Sequence, residues 1–164
     1  MFPQFKTILV ASDFSQTSEH ALEYARALAT SFGGTLHLLH VVPDPVIASA
    51  WSEAYAYDLT ALGDRLRLDA ERQLAEKAQT IRDVPVTTEA LVGRPAAIIA
   101  LTAAERGADL IVMGTHGRSG VTHFFMGSVA ERVVRSAPCP VLTVRERAFG
   151  NDTLQHAELR TAKA

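Results

Sequence analysis

The feature that most constrains this 164-residue chain is a repeated switch between two kinds of apolar pattern. Short continuous runs rich in Ile, Val and Leu read as strands buried on both faces, the pattern of a parallel sheet. They fall at Thr7–Ala11, Thr35–Val42, Val84–Leu91, Asp109–Gly114 and Pro140–Val144, the third being half polar through Thr87, Thr88 and Glu89. Longer segments with helical spacing lie between them. The first follows Ser15, carries Ala21, Ala25, Leu28 and Phe32 on one stripe, and is ended by Gly33-Gly34. The second, Ala48–Ile81, sets Leu59, Leu62, Leu66, Ala70, Leu74 and Ala78 at three- and four-residue steps, with Gly63 a candidate interruption. The third runs from Pro95, suited to a first helical position, to Gly107. The fourth opens near Ser128, where Ser128-Val129-Ala130-Glu131 has capping-box spacing.

Each connection is long enough for a crossover, so all the strands can run parallel. The expected fold is α/β: a single doubly wound parallel sheet, Rossmann-like, with helices on both faces. One domain is expected over residues 1–146, followed by a polar tail, 147–164, which lacks a core stripe and is expected to be unstructured. The charge balance, 16 Lys+Arg against 18 Asp+Glu, argues against a nucleic-acid-coating protein, whose footprint would be a strongly basic face. The single cysteine, Cys139, excludes an intrachain disulfide framework or a CxxC motif, and between two prolines it reads as a small core residue. The N-terminal run Ile8-Leu9-Val10-Ala11 is too short for a signal peptide, and no stretch reaches the roughly 20 apolar residues of a membrane span. A cytoplasmic protein with no membrane insertion is expected.

In an open parallel sheet, ligands bind beyond the carboxyl ends of the strands, where the strand order reverses. Two strand ends carry suitable loops: Ala11-Ser12-Asp13, and the segment from Gly114 to Gly127. The second reads Gly114-Thr115-His116-Gly117-Arg118-Ser119-Gly120, then Gly127-Ser128 at a helix start. Glycines let a backbone approach a phosphate and turn its N–H groups to one point. A helix N-terminus adds donors and about +0.5 of an elementary charge. Such a loop holds phosphates with few cations, and here Arg118 is the one permanent cation, since Lys6, Lys77 and Lys163 all lie elsewhere. There is no GxxxxGK[ST] P-loop and no GxGxxG after the first strand.

Other residues read more plainly. His37 and His40 are three apart on a strand and so face opposite sides, unable to chelate together. His116 and His123 share the glycine loop without a carboxylate or cysteine to complete a metal set. Asp13 has the alternative of a helix N-cap. Trp51, Tyr55 and Tyr57 pack at the mouth of the second helix or belong to a partner surface.

Four segments carry a resemblance. Gly114-x2-Gly117-x9-Gly127-Ser128 matches the G-x2-G-x9-G-[ST] nucleotide motif of the universal stress protein family. Residues Ala108–Gly114, Ile8–Ser15 and Ser136–Leu142 resemble that family's fourth strand, first strand with its loop, and approach to the last strand. The resemblance spans about residues 5–145 and implies strand order 3-2-1-4-5 and an adenine nucleotide, ATP or else ADP or AMP, with Mg²⁺ accompanying it. It further implies that Asp13 faces the ribose or a metal-bound phosphate, with Ser12 beside it in the first loop. Val41 would offer backbone hydrogen bonds to adenine, while Ala11 and Met113 line the base and sugar pocket. Gly114, Gly117, Gly127, Ser128 and Val129 would donate to the phosphates, with His116 and Arg118 within reach. Ala11 stands where the family often has proline, which alters loop stiffness.

In that order the last strand lies at an edge, where Val141, Leu142 and Val144 invite pairing with a second copy, and the family's usual homodimer agrees. Three functions compete. The first is a stress-response regulatory protein that binds ATP and signals through a dimer or partner surface. The second is a slow ATPase or nucleotide hydrolase using Asp13 and His116. The third is a nucleotide-free dimeric scaffold.

Overall fold

A computed structural model of the chain describes residues 4–45, 56–115 and 126–145. His116, Gly117, Arg118, His123, Trp51, Tyr55, the Tyr57 side chain, the expected helical residues 48–55 and the tail 147–164 lie outside that description. The elements run β1 (Thr7–Ala11), α1 (Gln16–Phe32), β2 (Thr35–Pro43), α2 (Ala56–Thr80), β3 (Val86–Gly93), α3 (Pro95–Glu105), β4 (Leu110–Gly114), α4 (Ser128–Ser136) and β5 (Val141–Val144). The strands form one parallel sheet in the order β3-β2-β1-β4-β5, as expected. No helix among the described residues is long and apolar enough to cross a membrane.

Strand alternation divides the core in two. Ile8, Val10, Leu36, Leu38, Leu110 and Val112 face α1 and α2, whose Ala21, Ala25, Ala29, Ala70 and Leu74 are buried against them. Leu9, Ala11, Leu39, Val41, Ile111 and Met113 face the other way, onto Ile99 and Ala103 of α3 and Ala130 and Val133 of α4. At about 25 cal/mol per Å² of apolar surface, these two layers are the main source of stability. The alanine stripe of α1 lets that helix lie close to the sheet, and Ser15 caps it, its side chain accepting the Ser18 N–H. Gly33 ends α1 in the left-handed conformation, φ 60°.

Several boundaries differ from the sequence expectation. β3 begins at Val86 rather than Val84: Pro85 has no N–H to give the ladder, and its carbonyl instead takes the Leu36 N–H at 2.9 Å. Gly63 does not interrupt α2, which runs unbroken through it. The buried line of α2 passes through Gly63, Ala70 and Leu74, so Leu62 and Leu66, one step around the helix, stand 44% and 43% exposed. α3 ends at Glu105, with Gly107 left-handed beyond it. The capping box is corrected as well: the N-cap of α4 is Gly127, Ser128 is the first helical residue, and no side-chain cap bond forms.

Candidate nucleotide-binding crevice

β1 stops before both of its neighbours. Its last pairs are Ala11 with Leu39 on one side and Ala11 with Met113 on the other, while β2 continues to Pro43 and β4 to Gly114. A crevice therefore opens past the end of β1, at the reversal of strand order. It holds a cavity of about 400 Å³, the size range of small-ligand sites.

Of the residues expected at the site, Ala11, Ser12, Asp13, Val41 and Met113 line this cavity, as do Gly114, Gly127, Ser128 and Val129. The structure thus brings together one apolar wall and one helix N-terminus. The wall is made by Ala11, Val41 and Met113, all under 10% exposed, with Ile99 of α3. The first turn of α4 completes the lining. An α-helix supplies no internal partner for its first N–H groups, so Ser128, Val129 and Ala130 direct theirs out of the helix end, where the dipole is positive.

Gly127 needs a correction as a phosphate donor. Its N–H is given to the Thr115 carbonyl at 2.7 Å, and Thr115 in turn donates to the Val144 carbonyl at 2.8 Å. These bonds fasten the two ends of the 115–127 connection to each other and to β5. Ala130, whose N–H also belongs to the first turn of α4, lines the cavity and was not among the expected donors. Ser18, His40, Pro43, Pro95 and Thr115 also line the cavity without having been expected. Pro95 and Ile99 had a legible signal, since a helix that starts after β3 must begin at the same edge of the sheet.

The β1–α1 turn is tightly determined. Asp13 Oδ1 accepts the Ser15 N–H at 3.0 Å and the Ser15 hydroxyl at 2.5 Å, so Asp13 braces the cap residue instead of capping the helix itself. Ser12 Oγ accepts the Phe14 N–H at 3.2 Å and lies 3.3 Å from Ser18 Oγ. Phe14 has φ 62°, the one positive φ at a non-glycine among the described residues, a conformation that costs about 1–2 kcal/mol. Its ring stacks on His40, with centroids 4.5 Å apart.

The histidines sit as alternation requires. His37 faces the second core layer, held by Thr87 and Glu89, while His40 faces Ser12 and Phe14. Among the described residues no group of three or more His, Cys, Asp or Glu is placed to hold a metal. Cys139 is half-buried against the second layer, and burial, with Asp109 nearby, pushes its thiol up, which disfavours the reactive thiolate. On the edge strand Val141 and Leu142 are half-buried, but Val144 is 7% exposed and belongs to the core, so it is not free to meet a partner.

The family model for the universal stress protein family matches residues 4–145. A universal stress protein of Thermus aquaticus is 38% identical over 145 residues, covering 86% of this chain and 99% of its own length. Among solved structures, the universal stress protein UspA from Lactobacillus plantarum superposes with a TM-score of 0.77 at 28% identity, over 87% of this chain and 99% of that one. An Arabidopsis thaliana family protein with AMP bound shares the fold at 20% identity and TM-score 0.59, over 91% of this chain and 98% of its own. This chain belongs to the universal stress protein family.

Proposed function

We propose that the crevice binds an adenine nucleotide, ATP in the first place and ADP or AMP in the second. The observation that carries this reading is the pairing in one cavity of an apolar wall with the first-turn amides of α4. The wall suits a flat, weakly polar base. In a parallel ladder successive residues turn their backbone groups alternately to the two neighbouring strands. Leu39 turns toward β1, where its carbonyl takes the Ser12 N–H at 2.9 Å, so Val41 turns the same way, past the end of β1. Its backbone pair would then meet the base edge. Asp13, with Oδ1 engaged by Ser15, would meet the ribose hydroxyls or a phosphate-bound Mg²⁺. The amides of Ser128, Val129 and Ala130 would receive the phosphates, helped by Gly114 and by Gly117, His116 and Arg118 of the connecting segment. Asp13 alone is no complete Mg²⁺ site, so the ion would be held mainly by the phosphates.

The chain then acts as a cytoplasmic regulator whose nucleotide occupancy is read by a dimer or partner surface. Calorimetric titration with adenosine, AMP and ATP in Mg²⁺ tests the reading. Affinity should rise along that series, and no heat with any of the three would sink it. The dimer is proposed to form along the backbone edge of β5, with Val141 and Leu142 beside it. Light scattering behind size exclusion should give twice the chain mass at micromolar concentration, and a monomer there contradicts this surface.

A further inference from the structure

His40 was not among the residues that the sequence singled out for the site, yet it occupies the junction on which the site depends. Its Nδ1 lies 2.8 Å from the Ser12 carbonyl oxygen, which only accepts, so Nδ1 carries the hydrogen. The ladder between β1 and β2 gives its last backbone bond from Ser12 N–H to Leu39. The next rung would run from the Val41 N–H to this same Ser12 carbonyl. The imidazole takes that position. Beside it, Phe14 holds its left-handed backbone while its ring stacks on the imidazole. Ser12, Asp13, His40 and Val41 all line the one cavity.

We propose that His40 is a positioning residue for the ligand. By occupying the Ser12 carbonyl it stops the sheet one rung early, which leaves the Val41 backbone edge to the ligand, and by stacking on Phe14 it fixes the turn that presents Asp13. This rests on the nucleotide reading above and assigns the base and ribose half of recognition to a side chain that need not touch the ligand.

Two variants without the ring differ in whether they keep the N–H. His40→Leu keeps the branched bulk against Phe14 and removes the donor, and His40→Asn sets an amide N–H where Nδ1 stood. Calorimetry with adenosine, AMP and ATP should show His40→Leu weaker for all three by one common factor of about tenfold. His40→Asn should recover most of that loss. A loss of stability alone would also lower all three affinities by one factor, so the titrations are made at a temperature where circular dichroism shows both variants fully folded. Three results would overturn the proposal: unchanged affinities in His40→Leu, a loss that grows with phosphate number, or His40→Asn behaving as His40→Leu. Hydrogen exchange of the ligand-free proteins separates this inference from the nucleotide reading. The Val41 amide should exchange more slowly in His40→Leu than in the parent, as the freed Ser12 carbonyl takes the rung. Equal exchange contradicts the ladder argument whatever ligand binds, whereas slowed exchange with no heat from any nucleotide supports it and removes only the ligand.

Discussion

The two ends of the sheet use the same kinds of polar group in opposite ways. At the amino end, polar groups of the described residues pair with one another across the strands. Asp109 Oδ2 accepts the N–H groups of both Lys6 and Thr7 at 2.9 Å, and the Lys6 carbonyl takes the Thr35 N–H at 2.7 Å. The Pro140 carbonyl takes the Ile111 N–H at 3.0 Å, Phe5 and Phe32 meet edge to face, and Gly34 fits flush against the Phe5–Lys6 backbone. At the carboxyl end, β1 stops short, a histidine takes the place of a ladder rung, and a helix N-terminus faces a cavity. The difference teaches that where the strands stop, more than composition, decides which end can hold a ligand.

The strongest way to break this contrast is to disturb the closed end alone. A Cβ on Gly34 would stand 2.6 Å from the Phe5 carbonyl oxygen and 2.8 Å from that of Lys6, both backbone atoms that cannot swing aside. Gly34→Val should therefore cost about 3 kcal/mol and lower the melting temperature by about 10 °C, while the protein that remains folded keeps its nucleotide affinity. Calorimetric melting with titration at low temperature checks both halves. A large affinity loss with little change in melting would show that the two ends are not separable.

A smaller effect comes from the buried histidine. His37 Nδ1 lies 2.7 Å from Thr87 Oγ1 and Nε2 lies 3.1 Å from Glu89 Oε2, which also takes Arg106 at 2.7 Å. Burial first, and then the Arg106 charge, push His37 below its ordinary value, outweighing Glu89. Burial works to raise Glu89, but the hydrogen bond and charge of Arg106, with His37, hold it below the usual carboxylate range. The folded state thus resists protonation at both groups, and the unfolded chain binds protons first. The stability from His37 is present above about pH 6.5, the value of an unperturbed histidine, and is lost as pH falls below it. That from Glu89 goes at lower pH, below about 4.3. Denaturant unfolding should therefore show stability falling from pH 7 to pH 5, with a shallower fall in His37→Gln. An equal slope in that variant would remove His37 as the cause.

Most of the fold was legible because burial on both faces writes strands as apolar runs, and the strand order followed from the family resemblance. The lining of the crevice was legible where loops at strand ends point to it, and Asp13, Gly127 and Ser128 do line the cavity. It was not legible where position relative to a hydrogen-bond frame decides. Ser128 and Glu131 have capping-box spacing, yet Gly127 carries the cap and spends its own amide on Thr115, so the first-turn amides of α4 are those of Ser128, Val129 and Ala130. Nor does sequence reveal that His40, read only as one of a non-chelating pair, stands at the end of a ladder. Val144 reads as part of an apolar edge, but its contacts lie inward.

Titration of Gly127→Val with adenosine and ATP tests most directly whether α4 backbone amides, approached past Gly127, grip the anionic end of an adenine nucleotide. We expect adenosine to bind as in the parent protein and ATP to lose at least about tenfold, so that the gain from phosphates disappears. ATP binding at parental affinity in that variant would contradict the account.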